Sequence, residues 1–124
     1  MTNWIIPINT EVKYPVCKRT GMICIKAVEL SGLPSKFSMY HIVVKPYNFA
    51  GDETYIENVK APNILKSFIN SGSTRTTQYY EENEYYQFDF NSVDNVAFEI
   101  LDSTNQIISD LTGFIKVVIK YECD

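Results

Sequence analysis

The chain has 124 residues, of which 45% are hydrophobic, 14% aromatic and 21% charged. That is the length of one domain, able to bury roughly 65% of its unfolded surface without a metal or a disulfide, and it is too aromatic and too weakly charged to be disordered. Ile (14), Val (10) and Thr (9) outweigh Ala (4) and Leu (5), which argues against a helical bundle because branching at Cβ suits a pleated sheet, and the formal net charge of -4 is unevenly spread, with residues 52–102 holding three basic and ten acidic side chains.

The first residues, Met1 to Pro7, lack a basic segment and hold only Ile5-Ile6 before the proline, so no secretory signal is expected. No stretch approaches the ~20 apolar residues of a membrane-spanning helix. An intracellular location follows as the expectation.

Residues 11–17 alternate Val12, Tyr14 and Val16 with polar neighbours, and Pro15 suits an edge strand. Residues 22–30 place Ile23, Ile25 and Ala27 on one face and Met22, Cys24, Lys26, Val28 and Leu30 on the other. Together they predict a hairpin turning at Lys18–Ile23. A two-residue Thr20-Gly21 loop sets Cys17 opposite Cys24; a three-residue loop sets it opposite Ile23. Three cysteines (Cys17, Cys24, Cys123) cannot all pair internally, and without a signal they read as reduced thiols. The C-x6-C spacing and the single histidine, His41, do not make a zinc knuckle.

Residues 38–45 predict a strand with Tyr40, Ile42 and Val44 inward and His41 outward as an ordinary surface residue. Residues 49–63 read as irregular; 64–70 fit either a short helix capped by Asn63, with Ile64, Leu65, Phe68 and Ile69 on its apolar side, or a short strand, which the β character of the rest favours; 71–78 read as a polar loop. The segment Tyr79-Tyr80-Glu81-Glu82-Asn83-Glu84-Tyr85-Tyr86 brackets three glutamates with four tyrosines. Tyrosine offers a large apolar face with a polar tip, so Tyr79, Tyr80, Glu81, Glu82, Tyr85 and Tyr86 form the candidate binding patch, for protein or sugar. The competing reading places Tyr80 and Tyr86 in the core. Strands follow at 85–90, at 95–101 (Val96, Phe98 and Ile100 inward), at 106–109 and at 113–121 (Ile115, Val117, Ile119 and Tyr121 on one face), with a polar turn at Asp102–Asn105.

Residues 38–121 run through Tyr40-His41-Ile42-Val43-Val44, Gly51-Asp52, Asn63-Ile64-Leu65-Lys66, a Tyr-rich stretch, Val96-Ala97-Phe98-Glu99-Ile100-Leu101-Asp102, and Leu111-Thr112-Gly113-Phe114-Ile115-Lys116-Val117-Val118-Ile119. This order resembles the C-terminal β-rich part of virion-type, capsid-associated proteins of Polinton/Maverick-like elements and related adinto-like DNA viruses. The chain departs from that pattern at Thr104-Asn105, where a glycine is expected, and lacks the longer N-terminal part. The resemblance implies a capsid-associated or capsid-derived structural role and brings no catalytic residues.

No motif pairs His41 with a cysteine nucleophile, and carboxylates such as Asp52-Glu53, Glu81-Glu82, Asp89, Asp94 and Asp102 read as surface charge. A calcium site at Asp102, Asn105 and Asp110 lacks EF-hand spacing. The expected fold is therefore all-β: a single antiparallel β-sandwich over 1–124, jelly-roll-like. The expected function is a non-enzymatic structural or assembly protein with a protein partner or self-association as a homo-oligomer. No cofactor, metal, nucleic acid or membrane enters this reading. A carbohydrate- or protein-binding β-sandwich module is the alternative.

Overall fold

A computed structural model describes the backbone of residues 2–13, 18–45, 54–56, 59–61, 64–89 and 95–123, and the side chains of residues 3–11, 22–44, 64–86 and 97–118. The described residues form eleven strand segments. They are β1 (Thr2–Pro7), β2 (Val12–Lys13), β3 (Lys18–Ser31), β4 (Phe37–Lys45), β5 (Thr54–Ile56), β6 (Val59–Ala61), β7 (Ile64–Ser71), β8 (Arg75–Tyr79), β9 (Tyr86–Asp89), β10 (Asn95–Leu101) and β11 (Thr112–Cys123).

The pairing is nested. Strand β4 pairs with β7, β3 with β8 and β9, β2 with β10, and β1 with β11, all antiparallel. Two further pairings, β10 with β4 and β11 with β3, gather these into two sheets. One has the order β1-β11-β3-β8, with β9 also on β3; the other has the order β2-β10-β4-β7. Strands β5 and β6 form a separate hairpin. The expected all-β antiparallel sandwich is the observed fold.

The alternations explain how the sheets meet. Ile6, Ile23, Ile25, Val28, Leu30, Ile115 and Val117 of the first sheet pack against Tyr40, Ile42, Val44, Leu65, Phe68, Phe98 and Ile100 of the second. Removing these branched side chains from water is the main force holding the layers together. The rings of Tyr40 and Phe68, opposite each other in β4 and β7, lie 5.7 Å apart.

Strand β3 departs from strict alternation at one point. Ala27 lies opposite Lys116 and Ile25 opposite Val117, so Lys26 is an extra residue in the ladder. Such a bulge shifts which side chains face the core. Hence the buried series reads Ile23, Ile25, Val28, Leu30, and Ala27 is not in the core as the alternation predicted.

Among the described residues the predicted hairpin of 11–17 with 22–30 is not formed. Strand β2 pairs with β10 in one sheet, whereas β3 starts at Lys18 in the other. Gly21 continues the strand because β11 and β9 hold it from both sides, opposite Tyr121 and Phe88. Cys17 lies outside the described residues. Cys24 faces Val118 across the ladder, and Cys123 lies opposite Lys18. The 71–78 loop is also corrected: only the residues around Gly72 turn, and Arg75–Tyr79 is a strand. The 106–109 strand reduces to one bridge, Leu101 to Ile107. Residues 64–70 form the expected strand. The Asp102 turn is held by its own carboxylate, whose Oδ1 accepts from Thr104 N at 2.9 Å, Thr104 Oγ1 at 2.7 Å and Gln106 N at 3.0 Å.

Two glycines set a measurable contrast. Gly113 sits at φ +135°, and a Cβ there would lie 1.9 Å from the Glu29 carbonyl oxygen. Gly72 sits at φ +114° with open space around it. Gly72→Ala should cost only its backbone strain, roughly 1–3 kcal/mol. Gly113→Ala must also push β11 off β3, and should unfold at a much lower urea midpoint.

Candidate functional site

Both β8 and β9 run along the edge of β3 that β11 leaves free. Strand β8 covers Ala27–Ser31 and β9 covers Thr20–Ile23. They are two halves of one interrupted strand, and residues 80–85 are the interruption. The gap faces Cys24–Lys26, where β3 carries its bulge. Tyr80 N still donates to Lys26 O (2.9 Å) before the chain leaves the ladder. Lys26 Nζ donates to Asn83 Oδ1, and the buried Cys24 Sγ lies 3.8 Å from Glu82 O.

This segment straps the first sheet to the edge of the second. The Tyr86 hydroxyl donates to Leu65 O of β7. Lys66 of β7, with a side chain only 12% exposed, meets Glu84 Oε2 at 2.5 Å and Glu82 Oε2 at 4.0 Å. Its ammonium also lies 5.5 Å from the centre of the Tyr80 ring. The hydrogen bond from Lys66 holds the Glu84 carboxyl below its usual range. Of the six sequence-predicted site residues, Tyr80 and Tyr86 therefore turn inward and pack against the core. Tyr85 is half-buried, Glu81 and Glu82 are exposed, and Tyr79 is 78% exposed. The six do not form one surface.

Tyr79 belongs to a different place, the outer face of the β1-β11-β3-β8 sheet. It lies opposite Ala27, beside the row in which Thr77 lies opposite Glu29 and Glu29 opposite Phe114. The next row on that face sets Arg75 beside Ser31 and Ser31 beside Thr112. These three strands form an open groove of about 520 Å³, lined by Glu29, Ser31, Arg75, Thr77 and Thr112 over the backbone of Leu30, Thr76 and Gly113. The sequence reading missed it because its residues come from three distant strands, two of them adjacent only through the nested pairing.

The outer face of the other sheet differs in character. Met39 and Ile69 lie opposite each other, 44% and 53% exposed, and Phe37 at the start of β4 is 75% exposed. Ile107, bridged to Leu101, is also exposed on this side. Next to them His41 is buried, and its Nδ1 shares a 2.6 Å hydrogen bond with Ser67 Oγ. The expectation of an ordinary surface histidine is corrected: the side chain does point outward, but it is covered. A serine beside a histidine is half of a hydrolase constellation. Here the histidine of the pair is buried on the outer face between strands β10 and β7. Among the described residues no group of three His, Cys, Asp or Glu side chains is placed to hold a metal ion. No helix among them is long and apolar enough to cross a membrane.

No family model, curated protein or solved structure matches the chain.

Two measurements test this geometry. Burial pushes the Tyr80 hydroxyl up to about 12, and that oxygen has no hydrogen-bond partner among the described residues. Leaving such a group unsatisfied is costly, so Tyr80→Phe should gain stability on the order of 1 kcal/mol in chemical denaturation. A loss would reveal a partner for the hydroxyl. Burial also lowers the affinity of His41 for a proton, against the opposing pull of the Asp102 charge. The unfolded chain takes up that proton near pH 6.5 and the folded chain only at lower pH. His41 therefore contributes full stability above about pH 6.5, lost progressively as the pH falls through its folded value. The decline just below pH 6.5 should flatten in His41→Gln, leaving the carboxylate-linked decline at lower pH.

Proposed function

We propose that this chain is a non-enzymatic assembly protein that works through protein–protein contact, with a second copy of itself as the first partner to test. The observation that carries this reading is the exposed apolar group Phe37, Met39 and Ile69 on the outer face of the four-stranded sheet. Apolar side chains gathered on a rigid sheet favour contact with another protein surface, and closed symmetric pairs are the commonest outcome for like chains. The uneven charge adds to this: residues 1–51 carry six basic and two acidic side chains against the acidic 52–102 segment, so attraction is gained wherever the two segments of different copies meet.

The finer form of the proposal is a jelly-roll, capsid-derived component. The nested pairing supports the topology, since a long hairpin rolled into two four-position layers is how a jelly roll is built, and capsid and lectin domains use that architecture. The step from fold to capsid rests on analogy and on the resemblance of residues 38–121.

Sedimentation velocity across protein and salt concentration decides the contact. A dimer or larger species should form as concentration rises, and Ile69→Lys with Phe37→Ser should shift it to monomer while leaving the thermal midpoint nearly unchanged. Association that survives high salt assigns the apolar face as its source. A strict monomer at high concentration and low salt would overturn the proposal.

A further inference from the structure

The groove across β11, β3 and β8 lies on the opposite layer from the apolar group and has a different chemistry. We infer that it is a carbohydrate site, taking one neutral sugar unit against Glu29 and Arg75, with Tyr79 beside its rim. Its volume, about 520 Å³, is in the range of small-molecule sites. Three hydroxyls (Ser31, Thr77, Thr112), one carboxylate and one guanidinium line it. None of these five side chains has a hydrogen bond or ion pair among the described residues, although Glu29 and Arg75 are on adjacent strands. They are presented on strands paired in register, so their spacing is set before any ligand arrives.

The donor and acceptor set selects the ligand class. A phosphate or other anion would meet Arg75 but be repelled by Glu29. An apolar ligand would strip water from five polar side chains and return no hydrogen bonds. A polyhydroxylated, uncharged molecule satisfies both charges, because each sugar hydroxyl donates to a carboxylate and accepts from a guanidinium. Tyr79 lies just outside the groove, opposite Ala27 and next to the Thr77–Glu29 row. The residue is 78% exposed beside the small Ala27, and its ring offers the C–H side of a pyranose extending from the groove an apolar contact. Gly113 matters to the floor: with no Cβ it lets β11 approach the Glu29 carbonyl closely.

Saturation-transfer NMR with the methyl glycosides of glucose, galactose, mannose and N-acetylglucosamine as probes tests the inference. At least one should receive saturation. Its affinity should fall about tenfold or more in Arg75→Ala and in Tyr79→Ala, corresponding to ~1.4 kcal/mol each. Both side chains are exposed, so both variants should keep the wild-type thermal midpoint. Ile69→Lys, on the other sheet, should bind the sugar normally whether or not it still associates, which separates this site from the assembly contact. No saturation of any of the four probes, or binding that persists unchanged in both groove variants, would overturn it.

Discussion

Strand β3 is paired along both edges, and its one-residue slip at Lys26 governs how everything around it is arranged. Without the slip, Ile23 and Ile25 would bury one face of the strand while Val28 and Leu30 turned to solvent. With it, all four reach the core. On the side of β11 the extra residue is absorbed within the ladder. On the other side the partner strand breaks, β8 stopping at Tyr79 and β9 resuming at Tyr86. The residues released by that break reach across to β7, where Lys66 and the Leu65 carbonyl receive them. A local irregularity in one sheet thus becomes the tie between two.

Much of the scaffold was legible in the alternation of apolar side chains. Tyr40, Ile42 and Val44, then Phe98 and Ile100, then Ile115 and Val117 face the core as period-two patterning requires. What alternation does not encode is partnership. Gly21 between two apolar runs looks like a turn, and only β9 and β11 on either side explain why it stays extended. Arg75–Tyr79 looks like a loop because its side chains are polar; Thr76 and Gln78 are only half-buried near the edge of the sandwich, where the drive to be apolar is weak. His41 misled for the converse reason. Its outward direction was read correctly, but burial on an outer face depends on neighbours that period-two reasoning cannot see.

The candidate site shows the same limit. Six residues of one eight-residue stretch divide among three environments: Tyr80 and Tyr86 against the core, Glu81, Glu82 and Tyr85 along the strap, and Tyr79 beside a groove built from strands far apart in the chain. A run of tyrosines marks where large amphipathic side chains are needed, and here two of them serve as internal packing with a polar exit. The surface chemistry sits instead on the sheets' outer faces. The four-stranded sheet exposes Phe37, Met39 and Ile69, whereas the other sheet carries the hydroxyl-lined groove at one end and exposed Ile5 and Met22 elsewhere.

The nesting of strand pairs has a consequence for the order in which the protein can be made. Strand β11 is the last strand in the described chain, yet it lies inside its sheet, between β1 and β3. During synthesis the earlier strands therefore emerge with an open slot where β11 belongs, their Ile and Val side chains uncovered and their ladder groups unpaired. Contacts between such distant parts of a chain form slowly, since closing a long loop precedes any gain from pairing. The nascent chain thus stays sticky until β11 emerges, and that one strand closes the sheet.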